Sequence, residues 1–183
     1  MRKQKLGQEN YSLMNSKFMK NENIENTVEQ ILSKLGIMQI PIPLEEVAEA
    51  LGIRIKRAPS NDFSGLLLRK DGKALIGVND NESHVRQRFT VAHELGHYFL
   101  HPAKDAFVDY RDNQTGLVRN TKEREANMFA AAFLIPKESI ISDVKKISAT
   151  GIFEEEIARL AKKYDVSKES MNYRLLNLGL SSK

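Results

Sequence analysis

The residues of this chain best suited to chemistry are His93-Glu94-Leu95-Gly96-His97. Two histidines four apart on a helix lie about 40° apart in azimuth and about 6 Å apart along the axis. Their rings can converge on one ion, with nitrogen–metal bonds of about 2.0–2.1 Å. A glutamate directly after the first histidine can reach an open coordination position. There it can take a proton from water and later return it to a leaving amine. This is the physical content of the HExxH pattern. The plainer reading is two surface histidines flanking a helical glutamate. The flanks argue against it: Arg88-Phe89-Thr90-Val91-Ala92 and Tyr98-Phe99-Leu100 extend the motif into an amphipathic helix with one buried side. Polar side chains on such a face cost free energy unless something pairs with them.

The rest of the composition narrows the ligand set. There is no cysteine, so thiolate sites and disulfides are excluded. The four histidines are His84, His93, His97 and His101, all in one stretch. His101 lies about 12 Å along a continuous helix from His93, too far to share its ion. It reads as a helix-end residue near the carbonyl dipole, or as a group behind a ligand. His84 falls in the first turn and faces solvent. A metzincin site needs a glycine at position 100 and a histidine at 103, where the chain has Leu100 and Ala103. The third ligand is therefore an Asp or Glu from elsewhere, and Glu123 and Glu125 have the best context. Their helix is apolar along Ala126, Phe129, Ala130 and Phe133. Glu123 has Asn127 one turn later on the same face, where it can orient a ligating histidine. Competing readings are a capping box between Asn120 and Glu123 and, for Glu125, a solvated helix charge, which is the favoured reading.

The elements that must position these residues follow from periodicity. A first helix begins near Asn23, with Ile24, Val28, Ile31, Leu32 and Leu35 at helical spacing and Gly36 as its stop. A short helix in Leu44–Leu51 follows, ended by Gly52. Strands are predicted over Ile53–Arg57, Ser64–Arg69 and Ala74–Val78, the last two joined by an Asp71-Gly72 hairpin turn. Asn81 is placed to cap the long motif helix, which ends near His101 ahead of Pro102. Residues 102–119 read as a polar loop, Lys122–Ile135 as the next helix, and the remainder as two or three helices, the last after Ser167. Residues 155–178 have helix-turn-helix spacing, with Ile157, Leu160 and Ala161 facing Val166, Met171 and Leu175.

That pattern raises a rival class, a DNA-binding or protein-docking module with a non-catalytic metal site. The charges argue against DNA. The chain holds 28 Lys and Arg against 24 Asp and Glu. Residues 1–20 contain five of the former and one of the latter, leaving 23 of each in the body. Residues 152–183 carry six basic and five acidic groups, a poor phosphate footprint. No apolar run has the length of a membrane span, and the basic N-terminus is followed by no apolar region of a secretory signal. The expected location is the cytoplasm. Three segments are expected: a polar basic tail over 1–22, a catalytic core over 23–140 and a C-terminal helical subdomain over 141–183 packed on the core.

Arg88-Phe89-Thr90-Val91-Ala92-His93-Glu94-Leu95-Gly96-His97, then Glu123-Arg124-Glu125-Ala126-Asn127-Met128-Phe129-Ala130-Ala131-Ala132-Phe133-Leu134-Ile135-Pro136, closely resembles the ImmA/IrrE-type metallopeptidases. The likeness extends to the helix Leu44–Leu51, the Ile53 strand and the ending Val166-Ser167, Arg174-Leu175, Leu178-Gly179-Leu180. It implies an α+β fold: a compact minimal zincin of the gluzincin kind, with a small three-stranded sheet, the HExxH helix, a Glu-bearing helix and a helix-turn-helix-like bundle. Carried over by position, it implies His93, His97 and Glu123 as ligands of Zn2+, with Glu94 as general base. Mn2+ or Fe2+ can occupy the same donor set. Asn127 stands where related gluzincins often have an aspartate, a departure at the position behind the ligand. The resemblance further implies an endopeptidase that cuts a helix-turn-helix repressor of a mobile element, phage or stress regulon. A repressor-cleaving protease that was always active would abolish the repression it controls, so an enzyme latent until triggered is a third reading. The oxyanion needs a donor besides the metal, and Tyr110 or Arg111 in the loop after the motif helix is placed to swing in.

Overall fold

Helix α1 (Ile24–Leu35) buries Val28, Ile31 and Leu32, the stripe that its spacing predicts, and the chain leaves it through Gly36. The computed structural model describes residues 24–102, 106–110, 121–147 and 152–180, without the side chains of Asp109 and Tyr110. The tail expected over 1–22, Arg111 and the proposed cap Asn120 lie outside the described residues.

Helix α2 (Leu44–Ala50) turns its Leu44, Val47 and Ala48 inward and leads into β1 (Ile53–Ala58). Strands β2 (Phe63–Lys70) and β3 (Lys73–Asn79) form an antiparallel hairpin in which Lys70 pairs with Lys73. Its two turn residues, Asp71 and Gly72, both have positive φ, 50° and 69°. A two-residue turn of this hand matches the twist of the flanking strands, and Asp-Gly adopts it at little cost. Ala74, Ile76 and Val78 of β3 and Leu67 of β2 are buried, forming the face on which the helices pack.

The sheet has four strands in the order β1-β3-β2-β4, where three are predicted. The addition, β4 (Ala106–Tyr110), lies in the stretch read as a polar loop and pairs antiparallel with β2, Phe107 opposite Leu67. Only Phe107 and Val108 are strongly apolar there, too few to show an alternation, so the strand is imposed by β2 rather than by its own pattern. Only β1 and β3 run parallel.

Helix α3 (His84–Leu100) carries the HExxH residues and packs on β2 and β3. It starts two residues after the position expected from an Asn81 cap. Ser83 is the N-cap, and the N–H of Asn81 donates instead to Oδ1 of the buried Asn79, at 3.0 Å. Helix α4 (Thr121–Leu134) lies against α3 over most of its length.

Helices α5 (Lys137–Ile147), α6 (Glu154–Tyr164) and α7 (Lys168–Asn177) complete the fold. Asp143 of α5 accepts hydrogen bonds from Lys163 Nζ (2.6 Å) and Tyr164 Oη (2.9 Å). Burial raises its carboxyl, but these donors outweigh it and hold the group below the ordinary aspartate value. Arg174 of α7 is buried, donates to the Ile135 carbonyl at 3.0 Å and forms an ion pair with Glu25 of α1. One guanidinium thus joins the last helix to the first and to the end of α4. Met171 and Leu175 of α7 belong to the same hydrophobic core as Leu95 and Phe129.

Candidate metal centre

Helix α3 runs so that its second half is buried on nearly every side, from Thr90 to His97. Among these residues His93 and His97 stack in the T-shaped manner, with ring centroids 4.7 Å apart. Their Nε2 atoms are 3.0 Å apart. Oε2 of Glu123, in the first turn of α4, is 3.2 Å from His93 Nε2 and 3.3 Å from His97 Nε2. Among the described residues these three form the group of potential ligands whose atoms converge. The role of Glu125 is different, as shown below.

The three separations test whether an ion fits. A tetrahedral ion with bonds of about 2.0–2.1 Å sets its ligand atoms about 3.3–3.4 Å apart. The observed triangle is within a few tenths of an ångström of that. Proton placement points the same way. His93 Nδ1 is 2.9 Å from Oδ1 of Asn127, which only accepts. The proton of a neutral His93 is therefore on Nδ1, and its Nε2 lone pair faces the triangle. Lone pairs and a carboxylate do not converge in a buried place without a cation or a proton between them.

Electrostatics agree. Burial lowers the imidazolium stability of His97; contact with Glu123 opposes this, and neighbouring His93 and His101 add to the lowering. The neutral ring, which is the form that ligates, prevails. The adjoining His93 and His97 rings favour the ionised form and hold the Glu123 carboxyl well below the usual carboxylate range, against the effect of burial.

Two close approaches build the site. A Cβ at Gly96 would lie 3.0 Å from Cα and 3.1 Å from the carbonyl oxygen of Ala126. Helices α3 and α4 therefore touch backbone to backbone at the turn that separates His93 and His97 from Glu123. A Cβ at Gly65 of β2 would lie 2.3 Å from Thr90 Cγ2 and 2.9 Å from Glu94 Oε1. This absent side chain is what lets the fully buried Glu94 carboxylate lie under β2. Gly96→Ala is expected to cost about 1–3 kcal/mol of stability through overpacking. It is also expected to weaken metal binding, because backbone is what must give. Urea unfolding of the metal-free protein, alongside a zinc titration, measures the two effects.

Several contributors are not singled out by sequence. Arg69 of β2 donates to the carbonyls of His97 (3.0 Å), Tyr98 (2.8 Å) and His101 (3.0 Å). It thereby satisfies the Tyr98 and His101 carbonyls at the end of α3 and adds a second donor to the His97 carbonyl, which already accepts from the His101 N–H. Phe107 of β4 stacks on the His97 ring, with centroids 4.0 Å apart. Glu125, read as a solvated charge, instead bonds His101 at 2.8 Å. A glycine inside an apolar strand signals close backbone approach, so Gly65 was findable; Arg69 and Phe107 carried no local sign. His84 is exposed as expected and pairs with Asp165 at 2.8 Å. Tyr110 has its backbone in β4, and its side chain is outside the described residues.

The family described as the IrrE N-terminal-like domain, a peptidase family, matches residues 48–176, which include every residue of the triangle. The chain belongs to this ImmA/IrrE family of metallopeptidases. It is 26% identical over 160 residues to the metallopeptidase ImmA of Bacillus subtilis, spanning 86% of this chain and 87% of that protein. It is 32% identical over 151 residues to the radiation response metalloprotease IrrE of Deinococcus deserti, covering 72% of this chain but only 52% of the relative. The chain thus spans about half the length of that metalloprotease. A solved structure of a Mycobacterium tuberculosis transcriptional regulator shares the fold, with a TM-score of 0.57 at 15% identity over 92% of this chain and 50% of that one. Among the described residues no helix is long and apolar enough to cross a membrane.

Proposed function

We propose that the chain is a zinc-dependent endopeptidase of the cytoplasm that hydrolyses a peptide bond in a helix-turn-helix repressor. The observation that carries the peptidase reading is the triangle of His93 Nε2, His97 Nε2 and Glu123 Oε2, with edges of 3.0–3.3 Å. Two imidazoles and one carboxylate are the donor set of a catalytic rather than a closed structural zinc site. The repressor as substrate is supported by the resemblance to ImmA/IrrE peptidases. The catalytic core is assigned to residues 23–140 and the packed helical subdomain to 141–183.

In this reading His93, His97 and Glu123 hold the ion, which when bound polarises a carbonyl and makes water more acidic. Asn127 holds the His93 ring by accepting from Nδ1. Glu94 is the general base. It is buried, so its carboxylate lacks the hydration that would weaken it as a proton acceptor. It takes a proton from the attacking water and delivers it to the leaving amine. The second donor to the oxyanion is assigned to Tyr110, which β4 holds opposite Phe63 of β2.

The test is metal analysis of the purified chain followed by incubation with the helix-turn-helix repressor encoded beside its gene. One equivalent of zinc and a single cut, abolished by a chelator and restored by zinc, is expected. A repressor left intact by protein carrying a full equivalent of zinc contradicts the assignment of substrate.

A further inference from the structure

His101 and Glu125 lie on the far side of His97 from the triangle. His101 closes α3 as its C-cap and is buried. Its Nδ1 is 3.1 Å from His97 Nδ1, and its Nε2 is 2.8 Å from Glu125 Oε2. The Glu125 side chain, 42% exposed, connects this chain of contacts to the surface of α4.

With both rings neutral, the direction of each hydrogen bond follows from valence. An ionised carboxylate only accepts. The 2.8 Å contact therefore requires the proton of a neutral His101 on Nε2. That tautomer leaves His101 Nδ1 as an acceptor, so the 3.1 Å contact requires a proton on His97 Nδ1. His97 Nε2 is then a bare lone pair, aimed at His93 Nε2 and Glu123. We propose that His101 and Glu125 are positioning residues: a two-step relay that fixes the proton of His97 on Nδ1 and so presents Nε2 to the ion. The inference rests on the metal reading given above. Asn127 does the same for His93 in one step. Position 101 needs a second step because an imidazole, unlike an amide oxygen, accepts at Nδ1 only when its other nitrogen holds the proton.

The surroundings fit this role. Arg69 binds the carbonyls of both His97 and His101, fixing the turn that sets their rings. Phe107 stacks on His97 at 4.0 Å and lies 5.7 Å from the His101 ring, restraining both. With the rings held, tautomer choice is left to Glu125.

Two readouts test the relay, neither requiring catalysis. The first is the His97 tautomer in the full, metal-free chain, read from long-range proton–nitrogen correlations after 15N-histidine labelling. The second is zinc affinity by competition with a chromogenic chelator. In the wild type the His97 proton is expected on Nδ1. Glu125→Ala and His101→Phe are each expected to weaken zinc binding about 10–100-fold and to move part of the His97 population to the Nε2–H form. His101→Asn, whose oxygen takes the place of Nδ1, and Glu125→Gln, whose carbonyl still accepts, are expected to stay within a few-fold of wild type. Glu125→Ala lies at the exposed end of the relay, so it stands if His101→Phe does not fold. A Glu125→Ala protein with wild-type zinc affinity and the proton still on His97 Nδ1 overturns the proposal. So does a His101→Asn protein as impaired as His101→Phe. A wild type that binds no zinc would refute the metal reading instead, while the tautomer measurement still decides the relay.

Discussion

Glu94→Gln is expected to lower the rate of peptide cleavage by about a thousandfold or more while the protein keeps its fold and its zinc. The magnitude is that of losing a positioned general base, roughly 10²–10⁴, and the upper half applies because Glu94 serves both proton transfers. Glutamine has the same shape, so the contact beneath Gly65 and Thr90 is preserved. Its amide does not take up a proton near neutral pH. Stability is not expected to fall, since the substitution replaces a fully buried carboxylate with a neutral group. Single-turnover cleavage, metal content and thermal unfolding of the two proteins check all three parts. A variant that cleaves at near the wild-type rate removes Glu94 from the mechanism.

The second large effect concerns the ion itself. Glu123→Ala is expected to weaken zinc binding by more than the 10–100-fold typical of losing an outer partner of a ligand, because it removes a donor. Binding to the folded chain alone stabilises it by about 4 kcal/mol when free metal is a thousandfold above its dissociation constant. A chelator is therefore expected to lower the wild-type unfolding temperature and to leave that of Glu123→Ala nearly unchanged. The pH dependence has a definite sign. His97 resists protonation in the folded state because it is buried, whereas the unfolded chain protonates it near the ordinary imidazole value of about 6.5. Between that value and the depressed folded one, the unfolded state binds more protons, so the metal-free protein loses stability as pH falls below about 6.5. Zinc affinity is lost as pH falls further, through the folded value, when protons displace the metal from the rings. Calorimetry with and without zinc across that range measures both.

Much of this was legible because the physics is local. The stripe Val28, Ile31, Leu32 reports a helix face directly, and Asp71-Gly72 reports a turn whose positive φ values the residues themselves favour. His93 and His97 are legible for the same reason, since spacing along one helix decides their meeting. Glu123 was less so. Its neighbour Glu125 offers the same carboxylate, and only Asn127 one turn after Glu123, together with the family resemblance, favoured Glu123. What separates them in space is the docking of α4 on α3 at Gly96, a tertiary contact. Strand β4 was hidden because its order comes from β2 and its own sequence has no alternation. The bond from His101 to Glu125 was hidden likewise, being made between helices 24 positions apart. The start of α3 was misplaced because Asn79, not Asn81, organises the preceding turn.

The central claim is that two imidazoles and the Glu123 carboxylate share one ion. A crystal of the zinc-loaded chain, with anomalous scattering recorded at the zinc edge, tests it without reference to substrate. The expected result is one peak per chain, bonded at about 2.0–2.2 Å to Nε2 of His93, Nε2 of His97 and an oxygen of Glu123. A peak held by Glu125 in place of Glu123, or none between the two rings at saturating zinc, contradicts it.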